Sequence, residues 1–284
     1  MSSVTTSVPC PESRQVNGKL EFIVADGKTR VGSQYTPHPF HITKPFHMPG
    51  DPGGMATLYL QSSAGGLYSD DDICLDVRAG VGSQAHLTTQ ASTVVHPARG
   101  GVTRQRVHLN IESEAYFEYC PDPAILFAES RLDTELDVEL GDGAVAMLTD
   151  AFLPHDPGGG DEPFDRLQTL IRVRQADGRE VLIERSDVTG TDWVNRTAGF
   201  PCHANFIVTG AIDAEVLAQA LRGTLDALDG QGIYAGVSVP GGRGSVIFRA
   251  IAREGKMLTK ALFTTWRTAR IALMQQSAPA LRRK

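Results

Sequence analysis

A chain of 284 residues with 41% hydrophobic and 21% charged residues is long enough for one large core or two modest ones, and its composition is that of a folded globular protein. The formal charge of -6 excludes a phosphate-tracking surface, which needs clustered Lys and Arg to release counterions, so nucleic acid is not expected as a partner. No apolar run approaches the roughly 20 residues that span a bilayer, and the opening MSSVTTSVPCPESR has no basic patch followed by an apolar segment. A cytoplasmic protein with no membrane partner is expected. Cys10, Cys74, Cys120 and Cys202 are widely spaced and form no CxxC pair, which fits reduced thiols rather than a disulfide framework.

In chain order, residues 1–17 read as a flexible lead-in. Residues 18–284 read as a single domain, β-rich to about residue 200 and α+β beyond. Leu20, Phe22 and Val24 alternate with polar or small neighbours and predict a first strand, with a second from Thr29 to Tyr35. The following TPHPFHITKPFHMPGDPGG is proline-rich and predicts extended loop or edge structure. Its His38, His41 and His47 lack a helix that would place them on one face, so they read as loop histidines before metal ligands. Ala56–Leu60 is a short apolar run. Alternation returns at Ile73, Leu75 and Val77, and again at Val107, Leu109 and Ile111. LDTELDVEL at 132–140 is the clearest strand, with one face apolar and the other acidic. Ala144–Leu148 is a further strand, PHDPGGGDEPFD a long loop, and Ala176, Asp177 and Gly178 mark a hairpin between Leu167–Arg174 and Arg179–Arg185.

Beyond Gly199 the periodicity changes. Phe206, Ile207 and Val208 predict a short strand. Leu217, Leu221, Leu225 and Leu228 then make a helical stripe with Asp213 as N-cap and Gly230 as terminator. A hairpin follows over IYAGVSVP and GSVIFRAI, whose VPGGRGSV lacks the Lys-Ser/Thr ending of a P-loop and reads as a turn. The last helix runs from about Lys256 to Gln275 with Met257, Ala261, Leu262, Thr265, Trp266, Ala269 and Leu273 on its apolar face. The basic end, Arg282, Arg283 and Lys284, reads as a solvated terminus. No internal repeat is visible.

Chemistry is sparse. Asp70, Asp71 and Asp72 form an acidic turn; adjacent strand residues point to opposite faces, so at most two carboxylates reach one ion. Thr88, Thr89 and Gln90 either line a polar channel or make cross-strand hydrogen bonds. No serine, including Ser92 near His96, lies in a G-x-S-x-G elbow. Cys202 and His203 are adjacent, while Cys74 and Cys120 lie in separate strands, so a Cys/His metal site requires the fold to assemble it. The residues favour a binding or scaffold protein over an enzyme.

TLYLQSSAGGLYSDDDICLDV, AHLTTQAST, YFEYCPDPAILFAESR, LTDAFLPHDPGGGDEPFD, LIRVRQADGREVLIER, GIYAGVSV and LFTTWRTAR, in that order and spacing, resemble the urease accessory protein UreD family, called UreH in some bacteria. The resemblance implies a mainly β fold, strands in a helical, sandwich-like arrangement with two α-helices in the C-terminal third. It implies a non-enzymatic scaffold that binds apo-urease and UreF, reaches the GTPase UreG through UreF, and assists delivery of nickel through an internal polar tunnel. No cofactor is then tightly bound, and nickel(II) is in transit. By motif, Asp71, Thr88, Thr89, Gln90, Asp150 and Glu184 match positions tied to that passage; oxygen donors suit an ion that must move on. The alternative is a β-rich metal-dependent hydrolase in which Asp71, Asp150 and Glu184 converge on one ion. Three stretches depart from the family pattern: GGLYSDD stands for GGLVGGD, Val94, Val95, His96 and Pro97 follow the TTQ segment in place of TKVYR, and LPHDPGGGDEPFD replaces an LGR-x-A-x-GE loop.

Overall fold

The computed structural model describes residues 14–242 and 244–275. The expected basic terminus, Cys10 and most of the expected lead-in lie outside them. The alternating segments form β1 (Gln15–Ala25), β2 (Lys28–Tyr35), β3 (Phe40–Ile42), β4 (Ala56–Ser62), β5 (Asp72–Ala79), β6 (Gln84–Thr89) and the two-residue β7 (Val94–Val95). There follow β8 (Thr103–Ile111), β9 (Tyr116–Tyr119), β10 (Ala124–Phe127), β11 (Arg131–Leu140), β12 (Val145–His155), β13 (Arg166–Gln175) and β14 (Glu180–Thr189). The remainder is α1 (Gly190–Thr197), β15 (Cys202–Gly210), α2 (Ala214–Arg222), α3 (Leu225–Leu228), β16 (Ile233–Ser238), β17 (Ser245–Ala252) and α4 (Gly255–Met274).

The strands make two stacked sheets. One has the order β14-β13-β11-β8-β5-β1-β2; the other runs β16-β17-β15-β12-β9-β6-β4-β3, with β10 and β7 beside β12. From β4 to β13 the chain alternates between the sheets and lays each strand parallel to the one a coil earlier, so Asp72 sits beside Arg104 and Thr103 beside Leu132. The fold is therefore mainly β, helically wound and sandwich-like, as the sequence predicts. Each return between sheets needs a tight bend. At Gly141 an added Cβ would lie 2.5 Å from the Ser113 backbone nitrogen, so only glycine fits the close approach of two successive coils.

Several boundaries differ from expectation. β1 begins at Gln15, because Gln15, Val16 and Asn17 pair in parallel with Asp72, Ile73 and Cys74, so the lead-in ends earlier. β12 and β15 extend well past their apolar cores because both are interior strands with ladder partners on each side. The leucine stripe is split at Gly223 and Thr224 into α2 and the single turn α3. Asp213 does cap α2, its carboxylate accepting from the Val216 N–H at 3.1 Å. The short α1 carries no readable period. It is started by Thr189, whose Oγ1 accepts from the Asp192 N–H.

Leu58, Leu75, Leu87, Leu109, Phe117 and Val138 fill the space between the sheets. The opposite face of the second sheet is covered by α2 and α4, with Phe206, Phe248, Leu217, Leu221, Leu258 and Trp266 between. Beneath α4 lies a buried charge cluster. Glu118 on β9 is fully buried, and Arg270 is 1% exposed. Arg270 donates from Nε and Nη2 to both Glu118 oxygens at 2.8 and 2.7 Å, and from Nη1 to Asp51 at 2.6 Å. Trp266 Nε1, the Tyr116 hydroxyl and His86 Nδ1 complete the shell of Glu118 at 2.8, 2.7 and 2.6 Å. Asp51 also accepts from the Met48 N–H and the Thr57 hydroxyl. The Arg270 guanidinium and the His86 imidazole hold the Glu118 carboxyl well below the usual carboxylate range despite burial.

Removing one member strands the others in a dry core. Glu118→Ala and Arg270→Met are each expected to cost about 3–5 kcal/mol in urea unfolding, and the double variant less than the sum of the two; additive losses would contradict a single shared network.

Candidate functional site: a polar layer between the sheets

Strand alternation directs every second side chain inward, and an interior row of such positions is normally apolar. One row here is not. Across the first sheet, Gln105, Thr134, Thr169 and Ser186 are successive register partners on β8, β11, β13 and β14. Across the second sheet, Asp150, Asn205 and Arg249 are register partners on β12, β15 and β17. Arg249 crosses the gap and donates to Glu184 of β14 at 2.5 Å. The layer opens into a cavity of about 340 Å³ between the sheets, walled by Thr89, Gln90, Gln105, Thr134 and Asp150 with apolar Leu60, Tyr119, Leu136 and Ile171. Gln90 is hydrogen-bonded by the Gln61 amide on the same wall.

Asp150 dominates the electrostatics. Burial raises its pKa to about 6, the Asn205 amide hydrogen bond opposes that rise, and the Glu184 carboxylate adds to it. At neutral pH it is a carboxylate with limited solvation facing a cavity. His203, two ladder positions from Asn205, is pushed down to about 4 by burial and by Arg249, so its imidazole is neutral. Its ring packs against Phe152 and Trp193. Cys202 points the other way into the helix-covered core, so adjacency in sequence does not make a Cys202/His203 pair.

The six predicted residues divide. Thr89, Gln90 and Asp150 line the cavity, and Glu184 joins the layer through Arg249. Thr88 faces away, its hydroxyl donating to the Cys120 carbonyl at 2.7 Å. Asp71 is 2% exposed and fastens the chain. Its carboxylate accepts from Arg14 Nε at 2.8 Å, from Arg14 Nη2, and from the Tyr68 N–H at 2.7 Å, and Arg14 Nη2 also reaches the Gly66 carbonyl. Asp71, Asp150 and Glu184 therefore do not converge on one ion, and no group of metal-ligating atoms among the described residues contains them. Nor do the histidines of the proline-rich segment form one; His41 Nδ1 instead lies 2.5 Å from Gln61 Oε1.

The divergent stretches are locally satisfied. In the SDD turn Asp70 takes φ 64°, a left-handed position that Asp tolerates better than most residues. Val94 and Val95 pair with β10, and the His96 ring stacks on Tyr68 at 4.2 Å. In the 153–165 stretch the Asp156 carboxylate gathers the N–H groups of Gly158, Gly160 and Glu162. Gln105, Thr134, Asn205 and Arg249 escaped the sequence reading. Their signal was a polar residue at an inward position, as in VIFRAI, where Arg249 occupies the slot alternation reserves for an apolar side chain.

Polar side chains from both sheets of this β-coil thus meet along one interior row that opens into one cavity. The model of the UreD urease accessory protein family matches residues 16–284, and the chain belongs to that family. It is 38% identical over 282 residues to urease accessory protein UreD 1 of Methylorubrum populi, covering 98% of this chain and 94% of that one. It is 34% identical over 291 residues to urease accessory protein UreD 1 of Pseudomonas syringae pv. syringae, covering all of both chains. The UreD protein of Mycolicibacterium gilvum is 31% identical over 259 residues, 89% of this chain and 93% of that one. Its role is accordingly in urease maturation, and it is not an enzyme. No helix among the described residues is long and apolar enough to cross a membrane.

Two outcomes follow from the site. Because the folded state holds the Asp150 proton up to about pH 6 and the unfolded chain releases it near 3.8, this group withdraws stability as pH rises from 3.8 through 6. Asp150→Asn is therefore expected to stabilise the fold by about 1–2 kcal/mol above pH 6 and to be neutral below pH 4, measured by urea unfolding across pH. Asp71→Ala is expected to loosen the start of β1, seen as faster amide exchange at residues 15–18 with β11 unchanged.

Proposed function

We propose that this protein acts in the cytoplasm as a nickel-delivery scaffold that binds apo-urease and UreF, meets UreG through UreF, and gives nickel(II) a route through the polar layer between its sheets. The observation that carries this reading is Asp150, a carboxylate poised at about pH 6 on the wall of a cavity whose polar lining includes the hydroxyls and amides of Thr89, Gln90, Gln105 and Thr134. Such groups are hard, neutral or singly charged oxygen donors. They replace part of an ion's hydration shell without enclosing it in the nitrogen and sulfur cage that holds late transition metals tightly. Arg249, neutralised by Glu184, sets a boundary to the negative region and keeps the layer from becoming a chelating acidic cluster. Nickel is cargo here, and no cofactor resides in the protein.

Full-length chain co-expressed with urease, UreF and UreG provides the test. Asp150→Ala and Glu184→Ala are expected to leave the complexes intact in pull-down while urease activity and urease-bound nickel fall severalfold. Full activation by both variants would remove the passage, leaving a scaffold alone; failure of the parent chain to bind UreF or urease would remove the scaffold.

A further inference from the structure

The outer face of the first sheet, the side away from the cavity, is a lattice of ion pairs: Asp72 with Arg106, Glu21 and Glu112 with Arg78, Asp137 with Arg172 and Arg174. One carboxylate in this lattice is treated differently. Asp76 lies between Lys19 and His108 in register, has no arginine partner among the described residues, and instead meets His108 Nδ1 at 2.9 Å. Cys74, two residues earlier on the same face of β5, places its Sγ 3.8 Å from both Asp76 Oδ1 and His108 Nδ1. The three ligand atoms lie within 4.8 Å of one another. Parallel pairing of β5 with β8 produces this grouping from residues more than thirty positions apart, which is the assembly by the fold that sequence spacing could not show.

We propose that Cys74, Asp76 and His108 form a surface binding site for a late first-row divalent cation, separate from the interior layer. A thiolate, an imidazole and a carboxylate are the donor set of borderline metals such as nickel, zinc and cobalt, and are ill suited to magnesium or calcium. Three protein ligands leave a fourth position open, and Asp76 and His108 border a solvent-facing hollow of about 550 Å³ that supplies both a water ligand and a way in. On coordination the Cys74 S–H bond breaks, sulfur keeps the electron pair and the proton passes to water; no redox change occurs. Without metal, burial and Asp76 raise the pKa of the Cys74 thiol and keep it protonated. The two negative ligands match the dication in charge. The inference stands independently of the interior route, because the site lies on the opposite side of the sheet.

Cobalt(II) titrated into the tag-free full chain tests it. One equivalent is expected to bind with thiolate-to-metal charge-transfer absorption. Cys74→Ser should abolish that absorption, His108→Ala, on a solvated surface, should weaken binding tenfold or more, and Asp150→Asn should change neither. Circular dichroism reports that each variant folds. Absence of the charge-transfer band in the parent chain, or its persistence in both Cys74→Ser and His108→Ala, overturns the site.

Discussion

The buried carboxylate of Glu118 is the constraint around which the second sheet is arranged. An ionised group in a dry core costs several kcal/mol unless its charge is matched and its lone pairs are filled. Here the match comes from the last helix, through Arg270 and Trp266, while His86 on the neighbouring β6 and Tyr116 on β9 itself supply hydrogen bonds. Because Arg270 also reaches Asp51, four distant chain segments must take their final places together. A purely apolar interface would tolerate a slipped helix; this one does not, since a shift of one turn separates the guanidinium from both carboxylates. The position of β9, and with it the adjoining β12 that carries Asp150, is thereby tied to the docking of α4.

The polar layer arises from the same economy of placement on the other face of that sheet. Helical winding sets residues about a coil apart side by side, so a modest polar residue in each of several strands becomes a continuous row. None of Gln105, Thr134, Thr169 and Ser186 is unusual alone. Their alignment interrupts the apolar filling between the sheets and leaves room where larger aliphatic side chains would have closed it. Asp150 then faces space rather than a partner of opposite charge, and its raised pKa is the electrostatic expression of that geometry.

Local patterns were the legible part of the chain. LDTELDVEL declared β11 through strict alternation, Asp177 and Gly178 declared the hairpin of β13 and β14, and Asp213 declared the start of α2. What spacing could not express was partnership across coils. Asp71, which the resemblance tied to the passage, is a fastening for Arg14, and Thr88, left open between channel wall and cross-strand hydrogen bond, donates to the Cys120 carbonyl. Arg270 followed Trp266 by one helical turn on what is otherwise the apolar face of α4, yet an arginine in a helix is ordinarily read as solvated, and nothing local reveals a carboxylate 152 residues away. The resemblance to a family singled out Asp150, which the residues alone did not.

The winding has a consequence for how such a chain is made. Apart from its hairpins, each strand of the coil pairs with one from the previous or the next turn, so little of either sheet is complete until several turns exist, and non-local pairing of this kind slows folding. The guanidinium that matches Glu118 lies 152 residues further along the chain. Synthesis from the amino end therefore exposes the half-built second sheet, with that acid unmatched at its centre, until α4 has been made. Structural maturity arrives late and all at once, and a nascent copy of this protein has its own need for protection before it can serve in the maturation of another.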